Sequence, residues 1–378
     1  MNEALPAYAG PDLKARLLAL GVSGTVYAMV SPETEAALAS VVDGCDRAEK
    51  LGDRDALDRA RRDGWLGRYL EPWTGRQDAM HDSYFERWLD WAAPVVALDP
   101  AAFPFRYPTA GASEAIYKLM AEHAARVRAD GGGGVHVFEG EYEGFSAFAA
   151  ALSLPVVRHA RRDWRAAASR VPPGAQFWIS QPSAIDGDLW PDFEPFLRLM
   201  ADEAPDASVF PDLTYVGSVA RAYRVALDAP NVPAFVISHS KPFGGYYQRV
   251  GGVFARRESP SLFGNRWFKN LQSLAWATEM MDRHDVFALP RRYRPAQEAA
   301  CARAAESLDL PALRPADVVL LATAPVPADP SPLVASLVRG AGAERRVRVC
   351  LTPMMTAMAA PELAPTTVAA LAALGGAA

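Results

Sequence analysis

The chain has 378 residues, 50% of them hydrophobic and 22% charged, which is enough apolar material for a large core and a length suited to two domains. A formal net charge of -5, from 39 basic and 44 acidic residues, offers no basic stripe to a phosphate backbone and argues against nucleic acid as a partner. Cys45, Cys301 and Cys350 lie far apart without CxxC spacing, so no disulfide framework or zinc ribbon is encoded; with no basic n-region and no window of membrane-spanning length, a cytoplasmic protein is expected.

The first hundred residues carry helical spacing, with Ser31-Pro32-Glu33 opening one run and Asp82 to Trp91 forming another, and no strand is expected among them. From Thr109 the texture changes to short apolar runs between helical stretches, the pattern of βαβ units around a largely parallel sheet. Strands are predicted at Val135 to Phe138, Pro155 to Arg158, Gln176 to Ser180, Ala207 to Phe210, Ala234 to Ser238 and Arg249 to Ala255. Helices are predicted from Ser113 to Ala129 and from Asp192 to Glu203, with a single long one from Ser259 to His284. The four glycines Gly131 to Gly134 follow a helix and precede a strand, the reverse of a phosphate loop, and read as a connector. Pro290 marks a joint, after which a helix from Arg291 and strands at Val318 to Leu321 and Arg346 to Leu351 suggest a small α+β domain. The expected division is a helical segment 1-100, a large α/β domain 101-289 and a small C-terminal domain 290-378.

Lysine is scarce, with Lys14, Lys50, Lys118, Lys241 and Lys269 the whole set, and one of these follows a buried-looking strand in Ser238-His239-Ser240-Lys241-Pro242. The C-terminal ends of strands hold ligands in open α/β sheets, and a desolvated amine there is a nucleophile for carbonyl groups. Gly111-Ala112-Ser113 opens a helix, where free N–H groups and the helix dipole favour an anion. Asp212 ends the strand before Leu213-Thr214-Tyr215 and can reach the same sheet edge. His239 reads as structural, and no HxxxH or HExxH pair supports a metal site.

Together these pieces resemble the fold-type I enzymes that depend on pyridoxal phosphate, in the branch that includes aspartate aminotransferase. The resemblance spans Tyr69 to Leu351 and is strongest in Ser238-x-Ser240-Lys241 followed, eight residues after the lysine, by Arg249-Val250-Gly251. It implies an α/β fold with a mostly parallel sheet sandwiched by helices, a small C-terminal domain, pyridoxal 5'-phosphate as cofactor and a homodimer with active sites at the interface. Lys241 would form the Schiff base and then serve as general base. The phosphate would lie on Gly111, Ala112, Ser113, Ser238, Ser240 and Arg249, with Tyr69 lent to the neighbouring subunit. Tyr142 would stack on the pyridine ring, Asp212 would pair with its nitrogen, and Tyr215 would bind its phenolic oxygen. Gln181, in Gln181-Pro182-Ser183-Ala184, stands where the branch has an asparagine. Arg348, or Arg346 on the same face of its strand, would clamp the substrate carboxylate. The activity implied is transamination of an amino acid; a lyase or a β- or γ-replacement enzyme is the alternative, and a cofactor-binding module without turnover the remote one.

Overall fold

The structure, a computed structural model, describes residues 11-50, 79-267, 270-340 and 342-359. Tyr69 lies outside them. The strands are β1 (Val96–Ala97), β2 (Phe105–Thr109), β3 (Val135–Phe138), β4 (Val156–His159), β5 (Gln176–Ser180), β6 (Ser208–Asp212), β7 (Val225–Ala226), β8 (Ala234–Ser238), β9 (Gly251–Ala255), β10 (Arg314–Pro315), β11 (Leu321–Pro325), β12 (Val338–Arg339) and β13 (Arg346–Cys350). Seven form one sheet in the order β2-β9-β8-β6-β5-β3-β4, in which only β9 runs against its neighbours. A second sheet, β10-β11-β13-β12, is antiparallel. The α/β class expected from the sequence is what forms.

Alternation along each strand divides the core between the two faces of the large sheet. Phe177, Phe235, Ile237 and Phe254 face one cluster, joined by Trp88 and Phe103, while Trp178, Phe210, Val236 and Val253 face the other. On the second face the helix Ala112–Asp130 packs Ala115, Ile116 and Leu119 against the sheet, and on the first Trp88 of the helix Ala79–Ala92 tilts 5.0 Å from Phe254. Both faces are covered, so the strands read as continuous apolar runs.

Several boundaries differ from expectation. The first hundred residues do contribute a strand: β1 pairs in parallel with β7, and Ser23 bridges Cys350 on β13. The predicted helix Ser259 to His284 is two elements, a 3-10 helix Pro260–Trp267 and an α-helix Leu271–Arg283 whose N-cap Asn270 accepts a bond from Ser273 N at 3.2 Å. Pro290 is no joint between elements but sits in the first turn of the helix Ala288–Ser307, where its missing N–H costs nothing. The strand expected at Val318 begins only at Leu321, because Val318 N and Val319 N bond to Gly187 O and Ser218 O in the large domain. Strand β9 starts two residues after Arg249, which adopts φ +47° and cannot extend. Gly131 to Gly134 connect the helix Ala112–Asp130 to β3, as read from the sequence.

Candidate active site

The loop from β8 to β9 carries the lysine. Ser238 and Ser240 are buried at its start, with Ser238 Oγ donating to Ser240 Oγ at 3.0 Å and accepting from Ser240 N at 3.2 Å. Lys241 follows, half-buried as a residue, and its Nζ donates to the Val26 carbonyl at 2.5 Å. Burial of the amine pulls its pKa down to about 8, with the charges of Arg348 and Arg249 adding to the fall and those of Cys350 and Asp212 opposing it. The neighbouring His239 takes no part: it is fully buried, bonded through Nε2 to Tyr84 Oη at 2.9 Å and stacked on Phe243.

Across β9 lies the start of the helix Ala112–Asp130. Its N-cap is Gly111, at φ +81° and without a side-chain cap, so the first-turn N–H groups lack the partner that a serine or aspartate N-cap would give. Arg249 donates from NH2 to the Ala110 carbonyl at 2.9 Å, and a Cβ on Gly111 would stand 2.7 Å from that nitrogen. Arg249 and the helix start thus stand together as a candidate cradle of donors for one anion; of the two serines, the Ser238 hydroxyl is spent on Ser240. Replacing Gly111 by alanine is expected to strain the backbone and push Arg249 aside. Equilibrium titration with pyridoxal phosphate should show affinity weakened about tenfold or more, as one displaced charge-assisted bond implies.

Asp212 ends β6, next to β8, and is 5% exposed. Its Oδ1 accepts from Thr214 N at 2.9 Å and Thr214 Oγ1 at 2.5 Å, leaving Oδ2 to another donor. Burial raises its pKa to about 6, against the opposing Thr214 bonds and the Lys241 charge. A buried carboxylate held above its usual range favours a cationic partner. Tyr215, three residues on, is buried and its phenol is raised, by burial first, within the fields of Arg348, Cys350, Asp212 and Glu143. Tyr142 sits over Gly144, which has no Cβ to block the ring, and its Oη lies 3.4 Å from Ser113 Oγ. Gln181 is engaged at both ends of its amide by the Trp190 backbone, Nε2 donating to the carbonyl and Oε1 accepting the N–H, each at 3.2 Å. It braces the turn and retains one N–H of its two.

Of the two candidate clamps, Arg348 is the buried one. It is 4% exposed, donates from NH1 to the Ala184 carbonyl, and keeps a buried Nε without a partner. Its charge reaches both Lys241 and Tyr215. Arg346, two residues earlier on β13, is half-buried, opposite Pro325 at the end of the ladder. Sequence reasoning missed Val26, Tyr27, Cys350 and Glu141. Tyr27 N donates to Cys350 Sγ at 3.3 Å, and Glu141 accepts from Ser180 N, Ser180 Oγ and Tyr142 N, a set that fixes Tyr142 and the turn leading to Gln181. Glu141 and Cys350 do sit close to Tyr142 and Arg348 in the sequence, but only the pairing of distant segments reveals what these residues touch.

The residues present fit pyridoxal phosphate: an uncapped helix start with an arginine for the phosphate, a buried carboxylate for the ring nitrogen and a lowered lysine between them. No protein-family model matches the chain, and no curated protein does. Solved structures do resemble it. A methionine aminotransferase of Escherichia coli superposes with a TM-score of 0.59 at 17% identity, covering 96% of this chain and 100% of its own. The histidinol-phosphate aminotransferase of Sinorhizobium meliloti, in complex with pyridoxal-5'-phosphate, gives 0.58 at 15% identity over 97% and 99%. A PLP-bound C-S lyase of Staphylococcus hominis gives 0.55 at 13% identity over 77% and 83%. The fold is that of the fold-type I pyridoxal-phosphate enzymes.

Proposed function

We propose that this chain is a pyridoxal-phosphate-dependent enzyme that acts on an amino acid, and that its reaction is transamination with a 2-oxo acid. The observation that carries the reading is the meeting, at one edge of the sheet, of a lysine amine with a lowered pKa at the end of β8 and the buried Asp212 on adjacent β6. When bound, pyridoxal phosphate supplies an aldehyde for an amino group and a ring that accepts electrons released at Cα. The rest of the work falls to the chain. Lys241 would hold the cofactor through its amine, and its Nζ would move the Cα proton. Asp212 would keep the ring nitrogen protonated, and Tyr142 would lie against the ring. Arg348 orients the substrate carboxylate with two parallel N–H bonds. The expected unit is a homodimer, as the family resemblance of the sequence implies.

One observation favours a second reading, elimination or replacement at the β- or γ-carbon: Gln181, where the branch has an asparagine, is braced on the Trp190 backbone and has at most one N–H left for the phenolic oxygen. The C-S lyase likeness is in keeping with it. Visible spectroscopy distinguishes the two. The purified chain is mixed with pyridoxal phosphate and challenged with single amino acids. Conversion to the pyridoxamine form by one amino acid, with release of its 2-oxo acid, is the expected result; release of ammonia or a thiol instead would replace transamination by elimination. Capture of the cofactor should also speed up as pH rises through about 8, where the Lys241 amine becomes neutral, and level off above. A chain that forms no visible band, and leaves no cofactor on the Lys241 peptide after borohydride reduction, would sink the reading.

A further inference from the structure

The arginine that faces the lysine is already sharing a carboxylate. Glu143 opens the helix Glu143–Ala151, directly after Tyr142, where the helix dipole suits an acidic side chain. A single oxygen, Oε1, faces two guanidinium groups, 3.3 Å from Arg339 Nε and 3.6 Å from Arg348 NH2. The longer contact is an ion pair rather than a hydrogen bond. Arg348 therefore remains short of acceptors: NH1 is held by the Ala184 carbonyl, while Nε is buried with no partner. Arg339 is better served, with NH2 on the Gly24 carbonyl at 2.9 Å and NH1 on the Val338 carbonyl at 3.1 Å.

The charge count is simple. Two guanidinium groups and one carboxylate leave the cluster at +1, which one monoanionic group neutralises. A substrate carboxylate arriving on Arg348 meets the orphaned Nε and the loosely held NH2, and Glu143 keeps Arg339. A second carboxylate on the same substrate meets Glu143 itself, in a partly desolvated setting where like charges repel strongly.

Resting on the amino-acid reading above, we propose that Glu143 is a specificity-determining residue: it uses up half of the positive charge of Arg339 and Arg348, so that the site accepts an amino acid with one carboxylate and an uncharged side chain and rejects one with an acidic side chain.

The test compares propionate and succinate as unreactive stand-ins for one and two carboxylates, at low ionic strength and pH 7.5. Dissociation constants come from the shift of the visible band of the cofactor-loaded chain and, independently, from calorimetry with the cofactor-free chain. The unmodified protein should bind propionate more tightly than succinate. Glu143→Gln should tighten succinate relative to propionate about tenfold or more, the scale of removing one close like charge, and Glu143→Asp should keep the unmodified ratio. An unchanged ratio in a Glu143→Gln protein with unaltered melting overturns the proposal, as does tighter binding of succinate by the unmodified chain. Absence of the visible band in every variant overturns the cofactor reading alone, because calorimetry still reports the ratio.

Discussion

Lys241→Ala should abolish turnover, lowering kcat by about 10⁴-fold or more, since it removes both the nucleophile for the aldehyde and the base for the Cα proton. The fold should survive. The side chain extends from the loop after β8, its amine bonds to the Val26 carbonyl, and burial has already lowered its affinity for a proton to a pKa of about 8. Removing a charge that the folded state holds at a cost relieves that cost, so melting of the cofactor-free protein should be unchanged or slightly higher at pH 7. The candidate cradle of Arg249 and the helix start at Gly111 remains, so pyridoxal phosphate should still bind, without the band that reaction at Lys241 gives. Turnover within tenfold of the unmodified protein would remove the central claim.

Asp212→Asn should have opposite effects on stability and activity. In the cofactor-free chain burial lifts the Asp212 pKa from 3.8 to about 6, so the folded state binds the proton more tightly than the unfolded one. Stability is unaffected below pH 3.8, falls as pH rises from 3.8 to 6, and stays lowered above. The loss is on the order of 2 to 3 kcal/mol, at 1.36 kcal/mol for each unit of pKa. Asparagine retains an oxygen for Thr214 and carries no charge, so the variant should melt several degrees higher than the parent at pH 8 and equally at pH 4. Turnover should fall about 100-fold or more, because a neutral amide cannot hold the ring nitrogen protonated. Calorimetric scans at the two pH values, set beside kcat, check both halves. A variant that melts lower at pH 8 would show that Asp212 is stabilised by neighbours that burial does not reveal.

How much of this was legible in the sequence depends on how local each feature is. Ser238, Ser240, Lys241 and Arg249 lie in one stretch, and the short loop between two adjacent strands leaves them little choice but to meet. Strand β6 is predicted to end at Phe210, yet it continues to Asp212, because it pairs with β5 along its whole length, Pro211 opposite Ile179 and Asp212 opposite Ser180. The break at Trp267 inside the predicted helix depends on Asn270 capping a new helix, a signal visible in the sequence and outweighed by its apolar periodicity. Gln181 is legible as an amide in its turn, and only the position of Trp190 shows that the backbone there takes its oxygen and one of its N–H groups. Glu143 reads as an ordinary first-turn acid until Arg339 and Arg348, about two hundred residues away, are brought against it.

The stretch from Ser23 to Ser31 has an importance that its lack of regular structure hides. It is stitched to the small sheet by Ser23 against Cys350 and by Arg339 on the Gly24 carbonyl, to the helix Thr352–Ala359 by Thr352 on the Tyr27 carbonyl, and to the loop after β8 by Lys241 on the Val26 carbonyl. Thr34, just beyond it, donates to the Phe243 carbonyl at 2.7 Å. This segment thus forms a seam between the two sheets. A protease cut within it leaves Lys241 and Arg348 on one fragment but frees an end of the backbone that bonds to the lysine amine, so clipped material should keep most of its circular dichroism and lose activity.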